Sequence, residues 1–148
     1  MSRVKLNFPD EKPLHTVTIP VRIGDINYGG HVGNDAILSI VHEARLQMLR
    51  SYGYSEMNAG GNSMIMADVM IAYKGESFYG DDLALEIFAQ EIRNHSFDLL
   101  YHITTLRNGA TTEIAHVKTG MVCFDYTTRK VAEMTDELRL FLENKRDK

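Results

Sequence analysis

The sequence predicts an α+β domain in which an antiparallel sheet of about five strands wraps around one long central helix, with a short second helix near the C-terminus. Two observations predict this class. One stretch with helical spacing is apolar over most of its circumference, and four later stretches have the pattern of long strands separated by turn sequences. The chain has 148 residues, 44% of them apolar, so we expect a single domain over residues 1–148 with its core at about 15–126.

Composition and charge exclude several classes of function. The formal net charge is −4, so broad electrostatic binding to nucleic acid or to an anionic membrane is not expected. No run approaches the roughly 18 apolar residues of a membrane helix. The single cysteine, Cys123, excludes an intrachain disulfide and indicates a reducing compartment, so we expect a soluble cytoplasmic protein. The histidines are scattered and no phosphate loop is present, so neither a metal site nor a cofactor is predicted.

The first element is a strand over residues 15–24, in which apolar and polar residues alternate. Pro20 places this strand at a sheet edge or at a bulge. A glycine-rich loop follows, and helical spacing then predicts a long helix that runs from Asn34, as its N-cap, to about Tyr52, with Gly53 as its stop. Because apolar side chains cover so much of this helix, we expect the sheet to wrap it.

Four strands follow, joined by turn-type sequences. They cover residues 63–75, 82–93, 96–107 and 111–126. Asn108 and Gly109 between the last two give a strong hairpin signal, so consecutive strands are expected to be antiparallel. Residues 135–146 then predict a short helix that opens with Thr135 as its cap. A sheet of this kind has free edges, and a homodimer with a continuous sheet would cover them.

The loop between the first strand and the helix is the segment best suited to chemistry. It reads IGDINYGGHVGND from Ile23 to Asp35. Glycine permits close backbone approach, and a helix N-terminus offers unpaired N–H groups at the positive end of its dipole. The N–H near Asn34 is therefore a plausible donor to the oxyanion of a thioester or ester. Purely structural turns have the same pattern, and the serine elbow G-x-S-x-G is absent.

Three short motifs occur in and after this loop: GDIN at 24–27, GGHVGN at 29–34 and HEAR at 42–45. Their spacing resembles the hotdog-fold thioesterases, in particular the 4-hydroxybenzoyl-CoA thioesterase-like acyl-CoA thioesterases. FYGDDL at 78–83 resembles the family's turn before its third strand, and the resemblance spans roughly residues 17–124. It implies a hotdog fold and hydrolysis of an acyl-CoA or acyl carrier protein thioester to free acid and thiol.

The resemblance also implies an assembly and substrate contacts. Members are dimers or dimers of dimers, with acyl-thioester sites between two protomers. The thioester carbonyl would lie against the backbone around Asn34, with Gly30 among the loop residues that contact substrate. Arg93 would meet the nucleotide phosphates, assisted by His95, on the turn EIRNHSF. This turn is less basic than in many relatives, so coenzyme A and acyl carrier protein both stay open.

Asn27 departs from the family pattern. The second acid of Gly-Asp-x-Asp is the catalytic carboxylate in the family, and an amide cannot take a proton from water at neutral pH. Another carboxylate acts instead, or Asn27 only orients water or substrate, or the protein binds acyl thioesters without hydrolysing them efficiently. A non-catalytic acyl-thioester binding module is therefore the alternative to a hydrolase.

Three other side chains are candidates for catalysis, each with a structural alternative. Asp25, the first acid of the motif, acts as a base or caps the loop. Glu43 lies roughly two and a half turns into the predicted helix, where other hotdog branches place a catalytic carboxylate. Its alternative is an ion pair with Arg45 or Arg22, or a structural hydrogen bond. His31 either polarises the carbonyl or water, or braces the loop.

Asp68 is a further candidate, for substrate contact. It is expected to share a strand face with Met64, Met66 and Met70, and either faces the cleft or lies at a bulge or an exposed edge. The methionines are expected to be core, with an adaptable acyl pocket as the alternative. Cys123 is expected to be a small buried apolar residue, not a nucleophile.

Overall fold

The computed structural model describes residues 3–145. In chain order, its elements are β1 (His15–Pro20), α1 (Asn34–Ser51), β2 (Ser63–Tyr73), β3 (Asp82–Gln90), β4 (Ser96–Arg107), β5 (Ala110–Asp125), β6 (Lys130–Val131) and α2 (Asp136–Leu142). A short 3-10 turn at Ile23–Asp25 lies between β1 and α1. Within residues 3–145, no helix is long and apolar enough to span a membrane.

The strands form one antiparallel sheet in the order β1-β3-β4-β5-β2, and β6 pairs with the C-terminal end of β5. The hairpin between β4 and β5 turns at Asn108 and Gly109, as predicted. β1 and β2 are the two edges, so Pro20, which has no N–H to donate to a ladder, lies at an edge as expected. The predicted α+β class, with an antiparallel sheet around one long helix, is confirmed.

α1 lies against one face of the sheet, which we call the inner face. Its buried residues repeat at helical spacing: Ile37, Ile40, Val41, Ala44, Arg45, Met48 and Leu49. They join a core of buried side chains that alternate along β3 and β4: Leu83, Leu85, Ile87, Leu99, Tyr101 and Ile103. α2 adds Phe141, whose ring packs edge-on against Tyr52 with centroids 4.5 Å apart. The sheet thus wraps around the helix. The polar side of α1, which the sheet does not bury, is available to form a site.

The start of α1 differs by one residue from the prediction. Asn34, predicted as the N-cap, is the first helical residue, and Gly33 occupies the cap position with an extended backbone. The N–H of Gly33 donates to the Asp25 carbonyl at 3.1 Å, which makes Gly33 the last residue of the loop. Gly53 has a φ of +78° and follows the helix end, as predicted.

Other element ends also differ from the prediction. β1 ends at Pro20 instead of reaching Gly24, because the chain turns there into the 3-10 segment. α2 begins after its predicted cap, Thr135, whose hydroxyl accepts a hydrogen bond from the Leu138 N–H. It ends at Leu142, and the predicted end at 146 lies outside the described residues.

A β-bulge in β2 moves residues from one face of the sheet to the other. The register shifts between Met66 and Asp68, so Met64 and Met66 pair beside buried inner-face residues, whereas Asp68 and Met70 turn to the opposite, outer face. The prediction that these four residues share one face of the strand is therefore wrong. Met64 is buried as expected, but Met66 and Met70 are exposed on this edge strand, which corrects their assignment to the core.

A second bulge lies in the β4–β5 hairpin. Ile103 pairs with Ala115, whereas Thr104 pairs with Glu113, so β5 contains one extra residue at this point. Residues three apart on a regular strand lie on opposite faces. Because of the extra residue, Glu113 and His116 lie together on the outer face.

Candidate active site

The loop before α1 is a small closed turn. Ile26 and Val32 pair across it as an isolated antiparallel bridge. The Asn27 N–H donates to the His31 carbonyl at 2.9 Å, and the Gly30 N–H donates back to the Asn27 carbonyl at 3.0 Å. These bonds hold the side chains of Asn27 and His31 at the exposed end of the loop, next to the start of α1.

Asp25 holds this loop together. Its carboxylate is buried and accepts a hydrogen bond from the backbone N–H of Arg22 at 2.8 Å. The Arg22 guanidinium lies 3.5 Å from the same carboxylate, and the Asp25 carbonyl receives the Gly33 N–H. With these groups engaged inside the loop, the geometry favours the capping role of Asp25 over a catalytic one.

Asn27 is exposed, and its side-chain oxygen accepts a hydrogen bond from the Gly29 N–H at 2.9 Å. The amide NH2 can therefore donate to a water molecule or a carbonyl oxygen, but the side chain cannot act as a base. The exposed amide of Asn27 is thus placed to orient a water molecule or a substrate carbonyl, and it cannot take a proton.

His31 is half-exposed, and its Nδ1 lies 3.2 Å from the Val32 carbonyl oxygen. A carbonyl only accepts, so Nδ1 carries the proton in this contact. Nε2 lies 3.7 Å from the carboxylate of Glu76, which follows β2 and was not predicted as part of the site. The contact with Val32 fits the bracing role of His31, and its role in polarising the carbonyl or water stays a prediction.

The first turn of α1 offers free backbone donors. As at every helix start, the first N–H groups have no carbonyl within the helix to donate to, and the helix dipole makes this end positive. The Ala36 N–H donates instead to the Gly33 carbonyl at 3.1 Å. The Asn34 carbonyl accepts the Tyr73 hydroxyl at 3.1 Å, which ties the start of α1 to the end of β2. Burial and the nearby Asp35 carboxylate raise the pKa of Tyr73, so its phenol stays protonated as a donor. An anionic oxygen beside Asn34 would be stabilised here.

Glu43 is exposed on α1 and accepts a hydrogen bond from Gln47 at 2.6 Å, one turn further along. Of the structural alternatives for Glu43, the hydrogen bond is therefore observed, whereas the ion pair with Arg45 or Arg22 is not formed. Residues two apart on a helix do not face each other, so Arg45 points into the core instead. Glu43 and Arg22 do line the same cleft of about 240 Å³ between α1 and the end of β1.

Arg45 anchors a buried polar network that the sequence reasoning missed. Its Nε donates to Glu56 at 2.8 Å, and its guanidinium also donates to the Tyr101 hydroxyl at 3.1 Å. Tyr101 shares a second hydrogen bond of 2.9 Å with Thr119, and His42 lies 2.9 Å from the other Glu56 oxygen. Burial opposes ionisation of Glu56, but the hydrogen bonds from Arg45 and His42 hold its pKa below the ordinary value.

This network forms one end of a groove between α1 and β2 of about 470 Å³. The groove is lined by Leu38, Ser39, His42, Arg45, Glu56, Met64, Ile65, Met66 and Tyr126. Its walls are mostly apolar, and its charged groups are confined to the His42–Glu56–Arg45 end. Such a groove suits a ligand with an apolar body and one polar end.

Arg93 and His95 are exposed on the turn between β3 and β4, and Arg93 pairs with Glu91. Pro20 pairs with Asp82 at one end of β3, whereas Gln90 pairs with Asp98 at the other. The loop therefore lies at one end of β3 and this turn at the opposite end, a strand length of roughly 25–30 Å away. Within one protomer, the loop residues and Arg93 do not meet.

Asp68 lies on the outer face, away from α1 and the groove. Its carboxylate is exposed and forms an ion pair with Lys118 at 2.8 Å. The hydrogen bond from Lys118 lowers its pKa, although partial burial acts in the opposite direction. The bulge alternative for Asp68 is therefore the one observed. Cys123 is buried, as expected, and burial raises the pKa of its thiol.

The sheet wrapped around α1, with a glycine-rich loop before the helix start, is the hotdog fold. The family model of the thioesterase-like superfamily matches residues 21–142, and the chain belongs to this superfamily. The enzyme class predicted from the sequence is thereby confirmed.

Individual relatives agree with this assignment. A 1,4-dihydroxy-2-naphthoyl-CoA hydrolase of Nostoc punctiforme is 28% identical over 131 residues, which cover 86% of each chain. A 1,4-dihydroxy-2-naphthoyl-CoA thioesterase from Synechocystis superposes with a TM-score of 0.75 at 22% identity, covering 86% of this chain and 93% of that one. A gentisyl-coenzyme A thioesterase superposes with a TM-score of 0.71 at 17% identity, covering 86% and 99%. The last two likenesses show the fold.

Proposed function

We propose that the protein hydrolyses acyl-CoA thioesters at a site shared by two protomers. The observation that carries this proposal is the start of α1, where free N–H groups, Asn27 and His31 adjoin one another. Water attacks the thioester carbonyl carbon, and the N–H groups near Asn34 stabilise the oxyanion of the tetrahedral intermediate. The C–S bond then breaks, and the thiol leaves with a proton while the acyl group leaves as the acid.

Glu43 is the carboxylate that we assign as the base. Asp25 is occupied within the loop and Asn27 cannot accept a proton, whereas Glu43 is exposed and has a single hydrogen bond, to Gln47. Nine residues of helix separate Asn34 from Glu43, which is about 13 Å along the axis and more than a carboxylate side chain reaches. Glu43 therefore serves the carbonyl held by the other protomer, while Asn27 and His31 orient the water.

The α1–β2 groove is the proposed acyl site. Its apolar walls and its polar end at His42 and Glu56 suit an acyl group with a flat apolar body and a hydrogen-bonding substituent, such as a hydroxylated aryl group. The relatives from Nostoc and Synechocystis are named for a dihydroxynaphthoyl thioester, which supports this substrate class.

A second copy is proposed to complete the site. β2 is a free edge of eleven residues, and Met66, Met70 and Tyr73 are exposed along it. Pairing of two β2 edges would cover these side chains, and a two-fold dimer, or a dimer of such dimers, would place the Arg93 and His95 turn of one protomer near the loop of the other. Arg93, assisted by His95, would then contact the phosphates of coenzyme A. The buried thiol of Cys123 is suited to the reducing cytoplasm where such substrates occur.

The test is thiol release from a panel of aryl-CoA, aliphatic acyl-CoA and acyl carrier protein thioesters. We expect hydroxyaryl-CoA to be the preferred substrate and Glu43→Gln to lower kcat by at least about 100-fold. Glu143→Gln, an exposed carboxylate at the end of α2, is the matched control and should keep full activity.

Asn27 favours one other candidate function, an acyl-thioester binding module without turnover, because an amide cannot act as the base. Calorimetry separates the two. Tight binding of coenzyme A thioesters with no thiol release from any of them, and no release after Asn27→Asp, would establish the binding module and overturn the hydrolase. Full activity of Glu43→Gln would remove Glu43 as the base.

A further inference from the structure

The outer face of the sheet, away from α1 and the groove, brings two histidines together with two carboxylates. His102 on β4 pairs in register with Glu86 on β3 and with His116 on β5. The bulge in β5 turns Glu113 onto the same face. Four residues from three strands, well separated in the sequence, thus meet in one cross-strand row.

The contacts within this row are short and converge on Glu113. Its carboxylate lies 2.8 Å from Nε2 of His102 and 2.8 Å from Nε2 of His116. One ligand atom from each of these three residues lies within 4.8 Å of the others. Both histidines are half-buried, so their rings have little freedom to turn away.

We propose that His102, Glu113 and His116 bind a zinc ion on the outer face of the sheet. Two imidazole nitrogens and one carboxylate oxygen are a ligand set that Zn²⁺ favours, with water as the fourth ligand. Bonds of about 2.0–2.1 Å in a tetrahedral arrangement separate ligand atoms by about 3.3 Å, so the Glu113 carboxylate and each histidine nitrogen must part by about half an ångström to admit an ion.

Glu86 supplies a feature typical of metal-bound histidines. Its carboxylate lies 3.3 Å from Nδ1 of His102, the ring nitrogen opposite to the one that faces Glu113. A ligating histidine commonly donates its second N–H to a carboxylate, which fixes the tautomer and directs the other nitrogen to the metal. Glu86 is thus a positioning residue for His102.

Phe8 covers the row from outside. Its ring lies 5.1 Å from the rings of both His102 and His116, and 5.6 Å from that of Phe88. This apolar cover limits access of water to the histidines. A bound ion would therefore join β4 to β5 beneath Phe8, and its role would be to stabilise the fold, since the loop and the groove lie elsewhere.

The experiment uses the full chain without a polyhistidine tag, freed of metal by a chelator. Zn²⁺ is titrated in competition with a chromophoric chelator, and thermal unfolding is followed with and without Zn²⁺. We expect one ion per chain and a rise in Tm of roughly 5 °C at a hundredfold excess over Kd. Co²⁺ in place of Zn²⁺ should give the visible absorption of a tetrahedral site.

Variants assign the ligands. His116→Gln and Glu113→Gln should each abolish stoichiometric binding, and Glu86→Gln should weaken it by roughly 10- to 100-fold. His42→Gln is the matched control, because His42 also lies 2.9 Å from a carboxylate but has no second histidine beside it, and it should bind zinc normally. Absence of stoichiometric binding, or binding unchanged in both His116→Gln and Glu113→Gln, would overturn the site. Either result leaves the proposed hydrolysis untouched.

Discussion

The two halves of the candidate site, the loop before α1 and the groove between α1 and β2, are held in different ways. In the loop, Asp25 bonds to Arg22, three residues away. In the groove, Arg45 reaches Glu56 and Tyr101, which are 11 and 56 residues away. The loop side chains are supported by their own neighbours, whereas the groove is continuous with the core. Changes in the loop should therefore alter chemistry, and changes in the groove should alter stability as well.

Removal of Arg45 should have the largest effect. In Arg45→Ala, the buried Tyr101 hydroxyl loses one of its two hydrogen-bond partners and Glu56 loses its cation, so the free energy of unfolding should fall by about 3 kcal/mol. Urea unfolding followed by fluorescence or circular dichroism measures it. Arg50→Ala, at the exposed end of the same helix, should change stability by no more than about 0.5 kcal/mol. Equal losses in the two variants would show that the groove network is not coupled to the core.

Gly75 lies beside the β5 bulge and should be the next most sensitive position. A Cβ there would lie 2.5 Å from the Glu113 carbonyl oxygen, so Gly75→Ala forces the backbone to move and should lower the free energy of unfolding by about 1–3 kcal/mol. Gly24 in the loop has open space around its Cβ position, and Gly24→Ala should be within about 0.5 kcal/mol of the parent. A destabilised Gly24→Ala with a stable Gly75→Ala would contradict both expectations.

Glu56 should make the stability of the groove depend on pH. Its pKa in the folded protein is lowered from the ordinary 4.5, so it stabilises the fold fully above that value. This contribution is lost as the pH falls through the lower folded pKa. Urea unfolding at pH 6.5 and at pH 3.5 should therefore show a larger acid loss in the parent than in Glu56→Gln. Parallel pH profiles would mean that Glu56 is not held by Arg45 and His42 in solution.

Asn27→Asp should have the smallest effect on stability. The new carboxylate can still accept the Gly29 N–H, and the position is exposed, so the free energy of unfolding should change by less than about 0.5 kcal/mol. With Glu43 as the base, kcat should change by less than about tenfold. An increase of 100-fold or more would instead assign the base to the loop position and displace Glu43.

Much of the fold and of the loop could be predicted because both depend on patterns of neighbouring residues in the sequence. Alternation fixed the long strands, helical spacing fixed α1, and the loop motifs lie within a dozen residues of one another. The buried position of Arg45 was not predicted. Arg45 occupies an inward position of the apolar stripe beside Ala44 and Met48. A charged residue at such a position needs a buried partner, and that signal was available.

The two bulges could not be predicted in the same way. Alternation assigns faces by counting residues, and one extra residue reverses the count. In the β4–β5 hairpin, a regular two-residue turn would pair His102 with Ala115 and leave His116 on the other face. Only the shift at Glu113 brings the two histidines together. Asp68 changed face for the same reason in β2.

Because the length of β3 separates the loop from the Arg93 turn, activity should depend on protein concentration. If each site takes its loop from one protomer and its turn from the other, dilution that dissociates the dimer abolishes turnover by every chain at once. A chain inactivated in the loop by a change at His31 and a chain inactivated at Arg93 should then complement each other. A mixed dimer would contain one doubly defective site and one intact site, so mixing two inactive preparations would restore activity.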